Sequence, residues 1–378
     1  MNIVVLGAGR VGGAIVRDLS EEPDFSVKVV DLDPQTEVRL RELGVDFELH
    51  DLSRASGVRA AVKDADLVVG CVPGFMGYST VEAALGAGKP VVDISFFEED
   101  AFGLDELARE QGVPCLVDCG VAPGLSNLIL GHMEATLDET HAFRALIGGL
   151  PVERDWPWEY KAPFSPRDVI QEYVRPARMR RNGEDVTLPA LSEVELVHFP
   201  GLGTLEAFNT DGLRTLLETS STPELIEKTM RYPGHADRMR VLREAGFFSD
   251  DSILVASGTV RPRDVTESLL FDAWQFAEGE PDLTVGRFTI EGIENGAKVL
   301  HTYDLLDYYN PDTETSSMAR TTGYTCAAMA RLVATGRWTE PGVAPAETVG
   351  RQQDCFDFVL EHLAERGVHL FHRVESAD

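Results

Sequence analysis

The sequence predicts an α/β protein: a doubly wound parallel sheet joined to an α+β domain with antiparallel strands. Three observations predict it. The chain opens on an apolar run that enters Gly7-Ala8-Gly9-Arg10-Val11-Gly12, a G-x-G-x-x-G between a strand and a helix. Short apolar strands then alternate with helical segments as far as Asp118. Beyond Gly124 the texture changes, and two Asn-Gly turn signals, Asn182-Gly183 and Asn295-Gly296, belong to antiparallel hairpins.

The first strand is Ile3-Val4-Val5-Leu6 with its leading residues, and the helix it feeds runs from Val11 to about Leu19. Each glycine between them has a physical role in holding a dinucleotide. Gly7 permits the tight turn, Gly9 keeps side-chain bulk from the pyrophosphate, and Gly12 lets helix and strand pack closely. The helix N-terminus offers unpaired N–H groups to the phosphates. A second strand, Ser26 to Val30, ends at Asp31, where a carboxylate accepts both ribose hydroxyl protons. Val45 to Leu49 is the third strand, closed by Asp51, which is placed to meet the adenine. Leu67 to Val72 is the fourth, a continuous apolar run that stops at Pro73-Gly74. A helix over about 79–87 leads to the fifth strand, Val91 to Ile94, and one over about 104–111 to the sixth, Cys115 to Asp118. This is a Rossmann arrangement, and its ligands lie beyond the carboxyl ends of the strands. Cys71, Val72 and Pro73 are therefore expected near the nicotinamide, together with Asp93 and Asp118. The cofactor-binding candidates are Gly7, Gly9, Arg10, Val11, Gly12, Asp31, Asp51, Cys71, Val72 and Pro73. Asp31 points to NAD as the cofactor.

The expected organisation is a dinucleotide-binding domain over 1–124, an α+β domain over 125–310 and helices over 311–378 that return to the first domain. A long helix, Leu125 to Leu137, is read as leaving the sheet, and His141 to Leu150 as a strand. In the arm after Asn295-Gly296, Val299, His301, Tyr303 and Leu305 alternate as in a strand with one buried face. Arg175, Arg178, Arg180 and Arg181 flank the other hairpin turn and read as a solvated face. Pro341 to Pro345 reads as a short loop. Helices over 319–334 and 355–366 are closed by Gly336 and Gly367.

The chain has 378 residues, 43% hydrophobic and 26% charged, as in a globular protein of two or three domains. Its net charge of −29 is extreme, and arginine supplies most of the positive charge. Such a surface repels itself and invites screening by salt, so a saline cytoplasm is the expected habitat. Nucleic acid and anionic membrane are excluded as partners on the same ground. The five cysteines show no C-x-x-C spacing, which suggests neither a disulfide framework nor a metal site. With no basic leader and no apolar run of membrane-spanning length, the expected compartment is the cytoplasm.

Several motifs together resemble the saccharopine dehydrogenase family. They are the glycine-rich start, Gly88-Lys89-Pro90-Val91-Val92-Asp93, and Asp118-Cys119-Gly120-Val121-Ala122-Pro123-Gly124-Leu125-Ser126-Asn127. The blocks Leu205 to Arg214, Lys228 to His235 and Met318 to Tyr324 are similar to its lysine 6-dehydrogenase branch. The resemblance spans nearly the whole chain. It implies an NAD(P)-dependent oxidoreductase acting on the C–N bond of an amino acid, a second domain for substrate and dimerisation, and a homodimer or larger homo-oligomer.

Hydride transfer from an amine needs a held nicotinamide, an unprotonated amine, a base and an anchor for the far carboxylate. Asp93, Asp118 and His235 are the candidates for proton handling, with Tyr232 beside them as a catalytic candidate. For Asp93 and Asp118 the alternative is a strand-end aspartate capping the next turn. For His235 a structural role stands level with a functional one, and Cys119 reads as buried filler. Arg214 and Arg231 can each form a planar two-point bond with a carboxylate, and Asn209 joins them as a substrate-binding candidate. The leading reading is oxidative deamination of the distal amine of L-lysine. The alternatives are a saccharopine- or carboxynorspermidine-type reductase and a non-catalytic NAD-binding sensor.

Overall fold

A computed structural model describes residues 1–162 and 166–377. It contains two compact units, Met1–Thr136 with Ala319–His369, and Leu137–Met318 with Leu370–Asp378. The helix expected to leave the sheet at Leu125 therefore stays with the first unit, and the chain end contributes a strand to the second.

The first unit runs β1 (Asn2–Leu6), α1 (Arg10–Ser20), β2 (Ser26–Asp31), α2 (Pro34–Leu40), β3 (Asp46–Leu49), α3 (Ala55–Ala61), β4 (Leu67–Gly70), α4 (Gly74–Leu85), β5 (Val91–Asp93), α5 (Asp105–Gln111), β6 (Pro114–Val117) and α6 (Leu125–Thr136). Its sheet is wholly parallel, in the order β6-β5-β4-β1-β2-β3, with a seventh strand, Gly342–Pro345, beyond β6. Every residue of β4 and β6 is buried, which is why these strands read as unbroken apolar runs. The sequence order reverses between β1 and β4, the crevice where such sheets bind ligands.

The seventh strand corrects the expectation of a loop at Pro341 to Pro345. Val343 pairs with Cys115 and Ala344 with Leu116, and the Val343 amide also donates to Asp105 Oδ1 at 2.8 Å. An edge position tolerates the missing N–H of Pro345, so proline there does not break the sheet. The helix α6 is held in the first unit by glycines. A Cβ on Gly131 would lie 2.0 Å from the Glu347 carbonyl oxygen, and one on Gly350 would lie 2.1 Å from that of Leu128.

The second unit comprises β7 (Glu139–Pro151), α7 (Pro166–Val174), β8 (Ala177–Arg181), β9 (Glu184–Leu188), β10 (Glu195–Phe199), β11 (Gly203–Asn209), α8 (Leu216–Thr219), β12 (Glu224–Arg231), α9 (His235–Glu244), β13 (Ile253–Val255), β14 (Gly258–Val260), α10 (Pro262–Trp274), β15 (Asp282–Glu294) and β16 (Ala297–Tyr308). Its main sheet has the order β10-β11-β12-β7-β15-β16, ending on Leu370–Ser376, with β8 attached to β12 and β9 to β8. Only β12 and β7 pair in parallel. Both Asn-Gly signals are hairpin turns, with φ of +51° and +79° at Asn182-Gly183 and again at Asn295-Gly296. Tyr173, Phe208, Phe248 and Trp274 belong to one apolar cluster of this unit, and Leu150, Phe199, Leu205 and Val285 to another.

The arginines at the first hairpin are exposed or half-buried, as a solvated face would be, yet Arg178 and Arg180 also bond within the fold. Arg178 makes a two-point bond to Asp211 at 3.0 Å from each nitrogen, and Arg180 donates to the Ser220 carbonyl at 2.6 Å. A guanidinium beside a sheet edge finds carbonyls and carboxylates to bond, and these two tie β8 to the segment after β11.

Candidate functional site

In the first unit the glycine loop has the geometry its spacing predicts. The Gly7 amide donates to the Val30 carbonyl at 2.8 Å, and Gly7 itself has φ of +87°. A Cβ on Gly12 would lie 2.3 Å from the Gly7 carbonyl oxygen, so only glycine lets α1 approach β1 so closely. Gly9 differs: a Cβ there would meet nothing of the protein within 4 Å. The space above it is the space a pyrophosphate needs. No side chain caps α1 at Gly9, and its first turn carries no acid, so its amides face outward for an anion. Arg10 is exposed and Val11 half-buried at this start of the helix.

Asp31 closes β2 beside that loop. Its Oδ2 accepts the Ala8 amide at 2.6 Å and its Oδ1 the Asp33 amide at 2.9 Å, which anchors the carboxylate and leaves a lone pair on each oxygen. Two exposed leucines follow the strand ends: Leu32 directly after Asp31, and Leu49, which pairs with Asp31 in register. Both leave apolar surface exposed at this end of the sheet, which the motif alone does not reveal. Asp51 is exposed and accepts the Ser53 amide at 2.8 Å, a bond that holds its carboxyl below the usual range. On the other side of the crevice the Cys71 amide donates to the Leu6 carbonyl, Val72 is buried, and Pro73 caps α4 without a side-chain bond.

At the end of β5, Asp93 is fully buried, accepts the Ser95 amide at 2.7 Å and contacts the Ser95 hydroxyl at 3.2 Å. A Cβ on Gly70 would lie 1.9 Å from its Oδ2, so the carboxyl rests across the neighbouring strand. This is the turn-capping role, and it engages both oxygens. At the end of β6, Asp118 is 2% exposed with φ of +56°, a left-handed backbone in a non-glycine residue. The Cys119 thiol after it is buried and pushed well above its ordinary range by that burial, as filler would be.

In the second unit strand alternation gathers a polar row. Glu206 pairs with Arg231 and Phe208 with Thr229, so Glu206, Thr229, Arg231 and Glu227 share one sheet face. Arg231 is 3% exposed, donates to Glu172 at 2.8 Å and to the Tyr160 hydroxyl at 3.3 Å, and lies over the Tyr160 ring at 4.4 Å. Burial raises the Glu172 carboxyl while Arg231 opposes that rise. Glu206 accepts the Gly234 and Ala236 amides at 2.7 and 2.5 Å, a carboxylate at the N-terminus of α9. Glu227 accepts the Thr210 hydroxyl at 2.8 Å, and burial pushes its carboxyl up to about 8.

His235 opens α9 within the same cluster, 1% exposed. Its Nδ1 faces the Trp158 carbonyl at 3.3 Å and its Nε2 the Tyr173 hydroxyl at 2.8 Å. A carbonyl only accepts, so Nδ1 carries the proton and Nε2 accepts from Tyr173. Burial and the nearby Arg231 charge push this imidazole down to about 3. It is neutral with both nitrogens occupied, a structural histidine rather than a proton carrier near pH 7.

Two candidates lie away from that row. Asn209 and Tyr232 alternate onto the opposite sheet face from Arg231. Asn209 is fully buried and bonds Ser192 and Glu193 at 3.0 and 3.1 Å, and the Tyr232 hydroxyl donates to the Pro151 carbonyl at 2.8 Å. Neither belongs with Arg231 as a substrate group. Arg214 is half-buried after Gly212 with φ of +49°. Glu172, Tyr160 and Glu227 were not singled out from sequence. The signal for Glu227 is its place at even spacing from Arg231 on the same strand, whereas Tyr160 and Glu172 arrive only through packing of other segments.

Residues 3–116 match the family model described as the saccharopine dehydrogenase NADP binding domain, and residues 120–368 that of the saccharopine dehydrogenase C-terminal domain. The saccharopine dehydrogenase [NADP(+), L-glutamate-forming] of Pyricularia oryzae is 24% identical over 370 residues, covering 78% of this chain and 81% of that one. The protein of the same name from Schizosaccharomyces pombe is 24% identical, covering 85% and 86%. The mitochondrial alpha-aminoadipic semialdehyde synthase of Mus musculus is 23% identical over 66% of this chain but only 29% of its own length. Among solved structures, the saccharopine dehydrogenase (L-Glu forming) of Saccharomyces cerevisiae shares the fold, with a TM-score of 0.81 at 19% identity over 99% of this chain and 100% of that one.

Proposed function

The chain belongs to the saccharopine dehydrogenase family, and from that premise we propose that it uses NAD to oxidise the distal amine of L-lysine. At the coarser level it is an oxidoreductase of amino-acid C–N bonds with a nicotinamide dinucleotide. The observation that carries the choice of NAD is the anchored Asp31 carboxylate. Two backbone amides hold it, so it cannot swing aside for a 2′-phosphate, and its remaining lone pairs suit two ribose hydroxyls. This reading departs from the NADP in the names of the family model and of the relatives.

The bound dinucleotide supplies the hydride acceptor. The chain's residues would supply the rest: the uncapped α1 amides would bind the pyrophosphate, the exposed Leu32 and Leu49 would offer apolar surface to the adenine, and Asp31 would hold the ribose. Asp118 is the proposed proton acceptor, because a left-handed aspartate at the carboxyl end of β6 is backbone held out of its preferred region at the ligand-binding end of the sheet. It removes the amine proton as hydride leaves the adjacent carbon, and water then splits the resulting imine into aldehyde and ammonia. Arg214 and Arg231 are the proposed anchors for the substrate carboxylate, and at Arg231 that carboxylate competes with Glu172.

A second reading, saccharopine oxidation, is favoured by the names of the relatives. Purified protein is incubated with NAD or NADP and either L-lysine or saccharopine, and absorbance at 340 nm is followed. The proposal expects NADH from lysine. Turnover of saccharopine alone establishes the second reading, and no turnover of either overturns both.

A further inference from the structure

Between β7 and α7 the chain makes a loop whose aromatic and acidic residues line a cavity of about 260 Å³, wholly within the second unit. Trp156, Trp158 and Tyr160 present rings to it, and Glu153, Asp155 and Lys161 present charges. Trp156 is 80% exposed, a large apolar surface facing solvent. These rings already take cations within the fold. Arg238 lies 5.4 Å from the Trp156 ring centroid and Arg231 lies 4.4 Å from that of Tyr160. Arg238 covers one face of the exposed Trp156 indole, whereas the buried Tyr160 ring also packs against His235 and Trp274.

The charges around the cavity do not cancel each other alike. Lys161 is held by Glu280, and both Arg154 and Arg238 are held by Glu159. Among the described residues Glu153 and Asp155 make no ion pair, so two carboxylates beside the rings remain to be neutralised. Aromatic faces combined with uncompensated carboxylates recognise organic cations: the rings attract the charge and the hydrocarbon around it, and the acids supply the counter-charge.

We propose that this cavity is a binding site for an alkylammonium group, adjoining the polar row on β11 and β12 through Tyr160. Its occupant is either a primary ammonium, as on an amino-acid side chain, or a quaternary one, as on a methylated solute. The site does not depend on which reaction the enzyme catalyses.

The test is a titration of the full-length protein with n-butylammonium chloride or tetramethylammonium chloride at constant ionic strength, with KCl as the balancing salt. Intrinsic fluorescence is the readout, since Trp156 and Trp158 line the cavity while Trp274 and Trp338 are buried. A saturable change is expected, absent with KCl, lost in Trp156→Ala and about tenfold weaker in Asp155→Asn. Tighter binding of butylammonium identifies the primary class, and tighter binding of tetramethylammonium the quaternary class. A linear response, an equal response to KCl, or saturation unchanged in Trp156→Ala overturns the site. A thermal melt of each variant confirms folding, which removal of so exposed a side chain leaves intact. Turnover assays are separate, so failure here does not bear on the proposed reaction.

Discussion

Glu227 is 5% exposed, and burial pushes its carboxyl up to about 8, with Thr210 opposing the rise. Its folded value lies above the ordinary 4.5 of a glutamate, so the folded state binds the extra proton between those limits. Stability is therefore largest below about pH 4.5 for this group and falls as pH rises through about 8. Glu227→Gln removes that slope, and relative to the parent it gains a few kcal/mol at pH 9 and nothing at pH 4. Urea melts of both proteins across that range measure the difference, and parallel curves contradict the burial account. His235 acts in the opposite sense: its value is depressed to about 3, so its contribution is present above about 6.5 and lost as pH falls toward 3. At Asp31, replacement by Ser removes the charge opposing a 2′-phosphate. The NAD preference of kcat/KM is expected to fall ten- to a hundredfold, about 1–3 kcal/mol. An unchanged ratio assigns the preference elsewhere. Asp31 and the glycines were legible because local backbone geometry dictates their identity. The His235 environment was not, since Tyr173 and Trp158 reach it from other segments.

Helix α1 carries the proposed pyrophosphate site, and α11 (Ser317–Ala334) packs against it. A Cβ on Gly323 would lie 3.1 Å from the Ala14 Cβ and 3.2 Å from the Val11 carbonyl oxygen. Further along, Arg331 bonds both the carboxylate and the carbonyl of the buried Asp18, and Arg366 bonds the same carboxylate. Gly323→Val pushes directly on the first turn of α1, so dinucleotide affinity is expected to drop about tenfold, roughly 1.4 kcal/mol, without any ligand contact being touched. Isothermal titration with NADH reads that loss, and an unaltered Kd shows that α1 is positioned without α11. Asp18→Asn leaves the buried Arg331 guanidinium without its carboxylate partner and costs about 3–5 kcal/mol of stability. The parallel strands were readable as elements because burial on both faces makes them continuous apolar runs. The strand at Gly342–Pro345 was not, because its proline and glycine are loop residues wherever no sheet edge receives them. Leu370–Ser376 likewise gains strand structure from pairing with β16, not from an apolar run of its own.

Across the whole chain a net charge of −29 works against compaction at low ionic strength. Each unit carries buried ion pairs, such as Arg331 with Asp18 and Arg231 with Glu172, which salt screens far less than the exposed acids. The melting temperature is therefore expected to climb as KCl rises from millimolar to molar levels, and a flat or falling trend contradicts a surface limited by self-repulsion. The two-part architecture was legible from the change of pattern after Gly124. The return of the chain end to the second sheet was not, since which unit a terminal segment joins is decided by pairing partners far away in sequence. The central claim, oxidation of a primary amine on a single amino acid, is tested most directly by measuring ammonia released per NADH formed with L-lysine and NAD. One ammonia per NADH is the predicted result. NADH formation from saccharopine but not from lysine, with glutamate instead of ammonia as the co-product, contradicts it.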